Sequence, residues 1–536
     1  MVPSRRSLLF LLPSLLILWT ACGGSGPGEP AGGTATSDSV ATSDNPATSD
    51  DGGVGVGVGA STDLTTTDTP GEPADQVYVR PNIGKLDPNG PQIAAFRKGV
   101  QTMQSRPATD PTSWLYQANM HGTYDTPALP QWNTCQHGTY FFLSWHRMYL
   151  YYFERILRKA SGDPAFALPF WDYTDPAQRA IPPPLRTPST GNPLFVAERA
   201  AGINQGAQVP ASATSFAQAM TFTNFSSPTG SPLSFGGQLV SGPIHFGGVF
   251  GQLESQPHNI IHVLVGGDEG WMSDPNLAAR DPVFWLHHAN IDRLWSHWVA
   301  LGEGRTNPSD NLWKTQVFTF FDENGQAVQM TGQQVVDSAA QLHYRYAEGS
   351  GDLPTTEALP EALPAAPFTD QKQTVVVDKA VNARLRGARA SVALTIPAAG
   401  TESVGTEGSR LTLVIDGIRF GRPGVYYEVY ANLPTGSQPN PSSPNYIGNL
   451  AIFGQLADGT SAHAGHGADK SLQENARLAY DVTRLVERLQ GQAGFKGDLK
   501  LDFVPKGLEP APGQATPEAL PKTHEVRFAR VKLVRE

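Results

Sequence analysis

Thirteen histidines fall unevenly along this chain, and their spacing constrains it more than any other feature. His121, His137 and His146 form one group; His258, His262, His287 and His288 form a second. His258 and His262 are four apart, so on a helix both imidazoles face one side and can share a metal ion. The intervening His-Asn-Ile-Ile-His lacks the glutamate of a zinc-protease HExxH motif, so that hydrolytic chemistry has no base here. His287 and His288 would point about 100° apart on a helix, so one ion is not expected to take both. Asp292 lies one turn after His288 and is a candidate acceptor for the second N–H of a ligating imidazole. His137 and His146 would face opposite ways on one continuous helix. His146 shares the apolar face of Leu143, Leu150, Phe153 and Leu157, which places His137 in the loop before that helix.

A lone buried histidine is ordinarily a hydrogen-bonded core residue. Two ordered groups, with no acid in a ligand position, point instead to a metal centre. They favour copper over di-iron or dimanganese, whose ligand sets are rich in glutamate. The only cysteines are Cys22 and Cys135, which excludes a disulfide framework and a cysteine-built zinc or iron–sulfur site.

A chain of 536 residues is comfortable for two domains plus appendages. Residues 1–22 read as an export signal, with Arg5 and Arg6 ahead of the apolar run Leu8 to Leu18, which is too short for a bilayer span of about 20 residues. The end, Leu18-Trp19-Thr20-Ala21-Cys22-Gly23, resembles a lipoprotein cleavage site with Cys22 as the lipidated residue; plain secretion is the alternative. Gly23 lacks the aspartate that retains lipoproteins on an inner membrane, so in a diderm cell the expected location is the outer membrane.

Residues 23–75 repeat Ala-Thr-Ser-Asp at 35–38, 41–44 and 47–50 and read as a disordered acidic tether. Its mean reach is about 40 Å by random-coil scaling. The formal charge of −10 resides largely there: nine acids and no Lys or Arg lie in 23–75, and Arg5 and Arg6 precede it. The remainder carries 37 basic against 40 acidic groups, which gives no reason to expect nucleic acid. Residues 76–352 read as mostly helical with long loops over 176–250, and 353–370 as a Pro/Ala-rich linker. From 371 to 536 the texture is β-rich, as in an antiparallel sandwich, with one short helix over Thr483 to Gln490.

The motifs around these histidines resemble those of the tyrosinase superfamily, which includes polyphenol oxidases and molluscan-type haemocyanins. The first set runs through Asp110-Pro111-Thr112-Ser113-Trp114, Gln117-Ala118-Asn119-Met120-His121, Cys135-Gln136-His137, Trp145-His146-Arg147, Phe153-Glu154-Arg155-Ile156-Leu157 and Leu168-Pro169-Phe170-Trp171-Asp172. The second set is Pro257-His258-Asn259-Ile260-Ile261-His262 and the run from Arg280-Asp281-Pro282 through His287-His288 to Asp292-Arg293-Leu294-Trp295. The resemblance covers roughly 77–350 and implies a four-helix bundle around two copper ions. His121, His137 and His146 would hold one copper, and His258, His262 and His288 the other, with His287 beside them. It further implies a thioether between Cys135 and His137, and a water held by Glu254 and Asn259 that accepts a phenol proton. Counting back from the last ligand, Pro275 would stand at the pocket entrance and leave it open. Leu342-His343-Tyr344-Arg345-Tyr346 resembles the family's closing Tyr-x-Tyr motif, with Arg80 as its partner.

The activity implied is copper-dependent oxidation of phenols by O₂, hydroxylating monophenols and oxidising o-diphenols to o-quinones. A diphenolase-only catechol oxidase, an o-aminophenol oxidase and a haemocyanin-like O₂-binding protein are the alternatives. Residues 371–536 are expected to shield the site and keep it latent. His463 and His466 fall in a Gly-rich loop and are expected to be solvent-exposed rather than a copper-delivery site.

Overall fold

The computed structural model describes residues 76–227, 233–347, 374–397, 410–421, 424–454, 476–492, 494–514, 520 and 525–535. The export segment with Cys22, the tether, the whole 353–370 linker, His463 and His466 lie outside the described residues. Among the described residues no helix is long and apolar enough to cross a membrane.

Among the described residues, five helices of eight residues or more build the first half. Helix α1 (Pro91–Gln104) opens with proline at its first position and buries Ile93, Phe96, Val100 and Met103, the stripe visible in the sequence. Helix α2 (Trp114–His121) is capped by the Ser113 side chain, which accepts from Tyr116 N. Helix α3 (Phe142–Ser161) ends at Gly162, whose φ of 71° supplies the left-handed turn that stops it. Helix α4 (Asn259–Gly266) is buried on every face, as its apolar sequence requires. Helix α5 (Pro282–Ala300) starts on Asp281, which caps Val283 N and also pairs with the fully buried Arg199 at 2.7 Å. The chain between α3 and α4 is mainly loop, broken by turns of helix only a few residues long.

Strand β1 (Tyr78–Arg80) pairs in parallel with β2 (Tyr344–Tyr346), tying the start of the helical core to its end. The sandwich follows: β3 (Thr374–Leu385), β4 (Ala390–Thr395), β5 (Leu411–Gly421), β6 (Tyr426–Ala431), β7 (Tyr446–Leu450), β8 (Ala476–Asp481), β9 (Asp498–Lys506) and β10 (Glu525–Arg535). Their order is β7-β6-β9-β4 in one sheet and β8-β5-β10-β3 in the other, antiparallel throughout. Helix α6 (Thr483–Gln490) follows β8 and buries Leu485, Val486 and Leu489 against the sandwich core. The protein is thus a mainly helical core followed by an all-β sandwich.

The two cores interlock. Tyr426, Ala451 and Phe453 of the β region belong to the helical core, and Phe250 of the helical region belongs to the sandwich core. Polar side chains fix the seam. Ser212 Oγ lies 2.7 Å from Tyr426 Oη and donates to Glu428 at 2.8 Å, and Asn449 donates to Ser212 O and to Gln256. Burial of the apolar seam and pairing of its polar groups together hold the sheet edge against the histidine site.

Candidate metal centre

His121 is the last residue of α2, His146 lies on the first turns of α3, and His258 immediately precedes α4, which carries His262; His288 lies on α5. His137 is in the loop before α3, where its distance from His146 placed it. The imidazoles form two overlapping groups in which possible ligand atoms lie within 4.8 Å of one another: His258, His262, His287 and His288, and His121, His146 and His288. His137 joins His121 and Cys135 at the same spacing.

Backbone carbonyls set the tautomers. His121 Nδ1 is 2.9 Å from Pro275 O, His146 Nδ1 2.8 Å from Phe142 O, and His262 Nδ1 2.7 Å from Met272 O. A carbonyl can only accept, so each Nδ1 carries the hydrogen and each Nε2 presents its lone pair. His258 is held in the same way by the Asn259 side-chain oxygen at 3.0 Å. The Nε2 atoms of His121, His137, His146 and His258 are buried with no hydrogen-bond partner. His262 Nε2 and His288 Nε2 approach to 3.3 Å.

Burial holds all six imidazoles well below their ordinary pKa, to about 3 for His121 and His258, and neighbouring imidazoles add to the depression at most of them. They are neutral at pH 7, the form that binds metal. Several buried bare nitrogens aimed together are costly in a protein interior. A cation among them removes that cost, and an all-imidazole donor set suits copper. The residues present therefore fit the copper pair.

The structure revises three expectations. Asp292 reaches none of these imidazoles. It accepts from Arg147 at 2.5 Å, Tyr344 at 2.6 Å, Tyr346 at 2.5 Å and Arg80 at 3.4 Å. Burial pushes its carboxyl up, but Arg147, Arg80 and the two hydroxyls outweigh this and hold it below the usual range. Two buried guanidinium groups compete for a carboxylate far better than a neutral ring N–H does. Asp292 instead locks β1, α3, α5 and β2 together, and Arg80 is indeed the partner of Tyr344 and Tyr346, with its guanidinium 3.6 Å over the Tyr344 ring.

His287 lies beside the second group. Its ring stacks on His258 at 5.3 Å and meets His262 edge-on at 4.9 Å. Pro275 acts through its carbonyl on His121, and the pocket is not left open. The ring of Phe453, fully buried, stacks on His262 at 3.8 Å and 17°, within 6.0 Å of His121, His137 and His258. The apolar run Ile447 to Phe453 reads as one strand, yet β7 stops at Leu450 and Ala451-Ile452-Phe453 leave the sheet to enter the site. Phe246 was also silent in the sequence, and it stacks on His137 at 4.5 Å and 6°.

Glu254 is fully buried, with both oxygens 3.0 Å from Gly138 N. Burial pushes its carboxyl well up, only partly offset by that N–H. It opens a wide turn, Glu254–His258, in which Gln256 departs from helical geometry, so it does not cap a regular helix. Asn259 Nδ2 is buried with no partner, and Cys135 Sγ lies 3.3 Å from His137 Nδ1.

Comparison with known proteins agrees with this site. The common central domain of tyrosinase matches residues 111–230 and 216–301, and the polyphenol oxidase middle domain matches 307–358. Residues 368–535 match a domain family of unknown function. The chain is 39% identical over 307 residues to tyrosinase HcTyr1 of Hahella sp. (strain CCB-MM4), covering 50% of this chain and 63% of that protein. It is 34% identical over 276 residues to the latent form of polyphenol oxidase from Prunus armeniaca, covering 47% of this chain and 46% of that protein. The chain thus spans less than two thirds of the length of these relatives. In fold it is similar to latent apple tyrosinase, with a TM-score of 0.58 and 23% identity over 86% of this chain and 97% of that one. It is also similar to latent aurone synthase, with a TM-score of 0.60 and 22% identity over 86% and 90%. Histidine motifs, helical core and family models agree that residues 111–358 carry tyrosinase and polyphenol oxidase family domains.

Proposed function

We propose that the protein is a copper-dependent phenol oxidase that hydroxylates monophenols, oxidises o-diphenols to o-quinones with O₂, and is latent as a full chain. The observation that carries this reading is the convergence of buried, unpartnered imidazole nitrogens beneath the ring of Phe453. His121, His137 and His146 would hold one copper and His258, His262 and His288 the other. The copper pair supplies O₂ activation when bound.

The chain's own residues do the rest. Carbonyls of Pro275, Phe142 and Met272 fix ring orientation, so the ligands need no rearrangement on metal binding. A phenol ring entering the site would take the place of Phe453 against His262. Glu254 and Asn259, whose Nδ2 is buried without a partner, would hold a water that takes the phenol proton, a base needed for a monophenol more than for a catechol. In Glu254→Gln, oxygen uptake with tyramine should fall about tenfold more than uptake with a catechol; equal losses would remove Glu254 from the proton path.

The β region, residues 371–536, supplies the shield, with Phe453 as its tip. The direct test is oxygen uptake by copper-loaded protein on tyramine and a catechol, before and after cleavage in the 353–370 linker. Uptake on both after cleavage supports the reading. Uptake on the catechol alone restricts it to diphenolase, uptake on o-aminophenols alone makes it an aminophenol oxidase, and reversible O₂ binding without turnover makes it a carrier. A thioether joins Cys135 to His137 in this reading. The export signal and Cys22 lipidation place the enzyme in the cell envelope, tethered by residues 23–75; labelling with a fatty-acid analogue, lost in Cys22→Ser, checks the anchor.

A further inference from the structure

A second segment runs alongside Cys135-Gln136-His137-Gly138 and engages it residue by residue. Ile244 N donates to Gln136 Oε1 at 2.8 Å. His245 Nδ1 lies 3.0 Å from Cys135 O and 3.3 Å from Cys135 Sγ. Phe246 lies flat on the His137 ring. Beyond it the two backbones touch: a Cβ on Gly138 would sit 1.9 Å from Gly247 O, and one on Gly248 2.5 Å from Gly138 O. These glycines allow a close approach that any side chain would prevent.

Because a carbonyl oxygen only accepts, His245 Nδ1 carries a hydrogen, and that N–H is shared between the Cys135 oxygen and its sulfur. His245 is outside the six imidazoles assigned to copper and is partly exposed. The fully buried Cys135 sulfur is thus held between His245 on one side and the His137 ring on the other.

We propose that His245 is a positioning residue for the cross-link between Cys135 and His137: its N–H fixes the sulfur in the rotamer that faces the His137 ring while Phe246 fixes the ring. The inference rests on the thioether reading given above. In the step, the Cys135 S–H bond and one ring C–H bond of His137 are lost and an S–C bond forms. The two electrons and two protons released pass to O₂, which leaves as H₂O₂. Without the N–H the thiol is free to occupy its other staggered rotamers, and the near-attack arrangement is populated less often.

The test follows the full-length chain after copper loading in air, with samples digested over time and the peptide containing residues 135–137 weighed. In the unaltered protein that peptide should lose two hydrogens. His245→Phe should slow the loss about tenfold or more, while His245→Asn, which keeps an N–H donor near the same place, should recover most of the rate. Copper bound per chain, measured in parallel, should match across the three. Equal rates in all three overturn the role of His245. Equally slow variants with normal copper assign the effect to packing and overturn it too. No loss in the unaltered protein removes the thioether reading itself, and this inference with it.

Discussion

The two halves of the histidine site are built alike but walled differently. In the first half, His121, His137 and His146 come from a helix end, a loop and a helix start, and the aromatic lid on His137 is Phe246. In the second, His258, His262 and His288 come from α4, the residue before it, and α5, and the aromatic lid on His262 is Phe453. Phe246 belongs to the same helical core as the ring it covers. Phe453 arrives from the sandwich after β7 has ended. One wall comes from the helical half of the chain, and the other from the β half. The difference teaches that the lids over one site can be drawn from different parts of the chain.

The comparison breaks most severely if one half is emptied. His262→Ala or His146→Ala should halve bound copper and cut catechol oxidation by a factor on the order of 10³, because neither half is expected to activate O₂ alone. Copper content by atomic absorption and oxygen uptake check this; retained activity with one copper would contradict the paired site.

The next largest effect lies outside both halves. Asp292→Asn leaves the buried Arg147 without its carboxylate, and Arg80 with only Glu154 at 2.7 Å, and should destabilise the protein by about 3–5 kcal/mol. Denaturant unfolding measures it, and a shift under 1 kcal/mol would mean that the tyrosines and Glu154 suffice for the guanidiniums.

Exchanging the walls sharpens the contrast. Phe453→Ala should raise catechol oxidation by the uncut, copper-loaded chain about tenfold or more, since it opens the face on which a substrate ring would stack. Phe246→Ala should give no such gain. If the two variants behave alike, the distinction between the two walls fails.

The last effect treats the halves as equals. An unfolded histidine has a pKa of about 6.5, whereas His121 of the first half and His258 of the second are held at about 3 by burial. Below pH 6.5 the unfolded copper-free chain binds more protons, so its stability falls as pH drops from about 6.5 towards about 3. Each imidazole that stays neutral adds a slope of about 1.4 kcal/mol per pH unit. Unfolding midpoints of copper-free protein at several pH values measure it, and a flat profile would show that the rings do not stay neutral and buried.

Much of the helical core was legible in the sequence, and the lid over its site was not. The stripe Ile93, Phe96, Val100 and Met103 marks α1 because a buried helix face must repeat every three or four residues. The loop position of His137 follows from its distance to His146. The short helix Thr483–Gln490 also stands where its pattern puts it. By contrast β8, Ala476–Asp481, carries too few β-branched residues to stand out, and it forms because β5 pairs with it over Thr412 to Ile418. Asp292 has the right spacing for an imidazole partner, but its actual partners lie on β1, α3 and β2, remote in sequence.

The sequence alone determined which side chains can hold metal, because ligand chemistry and helical spacing are local properties. It determined the two-layer division as well, because helix and strand periodicities differ. Only the tertiary structure decided what those histidines face. The acceptor on the His121 ring is the carbonyl of Pro275, 154 residues away, and the ring stacked on His262 is Phe453 from the β region. Burial and hydrogen-bond satisfaction act on whatever comes near in space, and spatial proximity is what spacing along the chain does not carry.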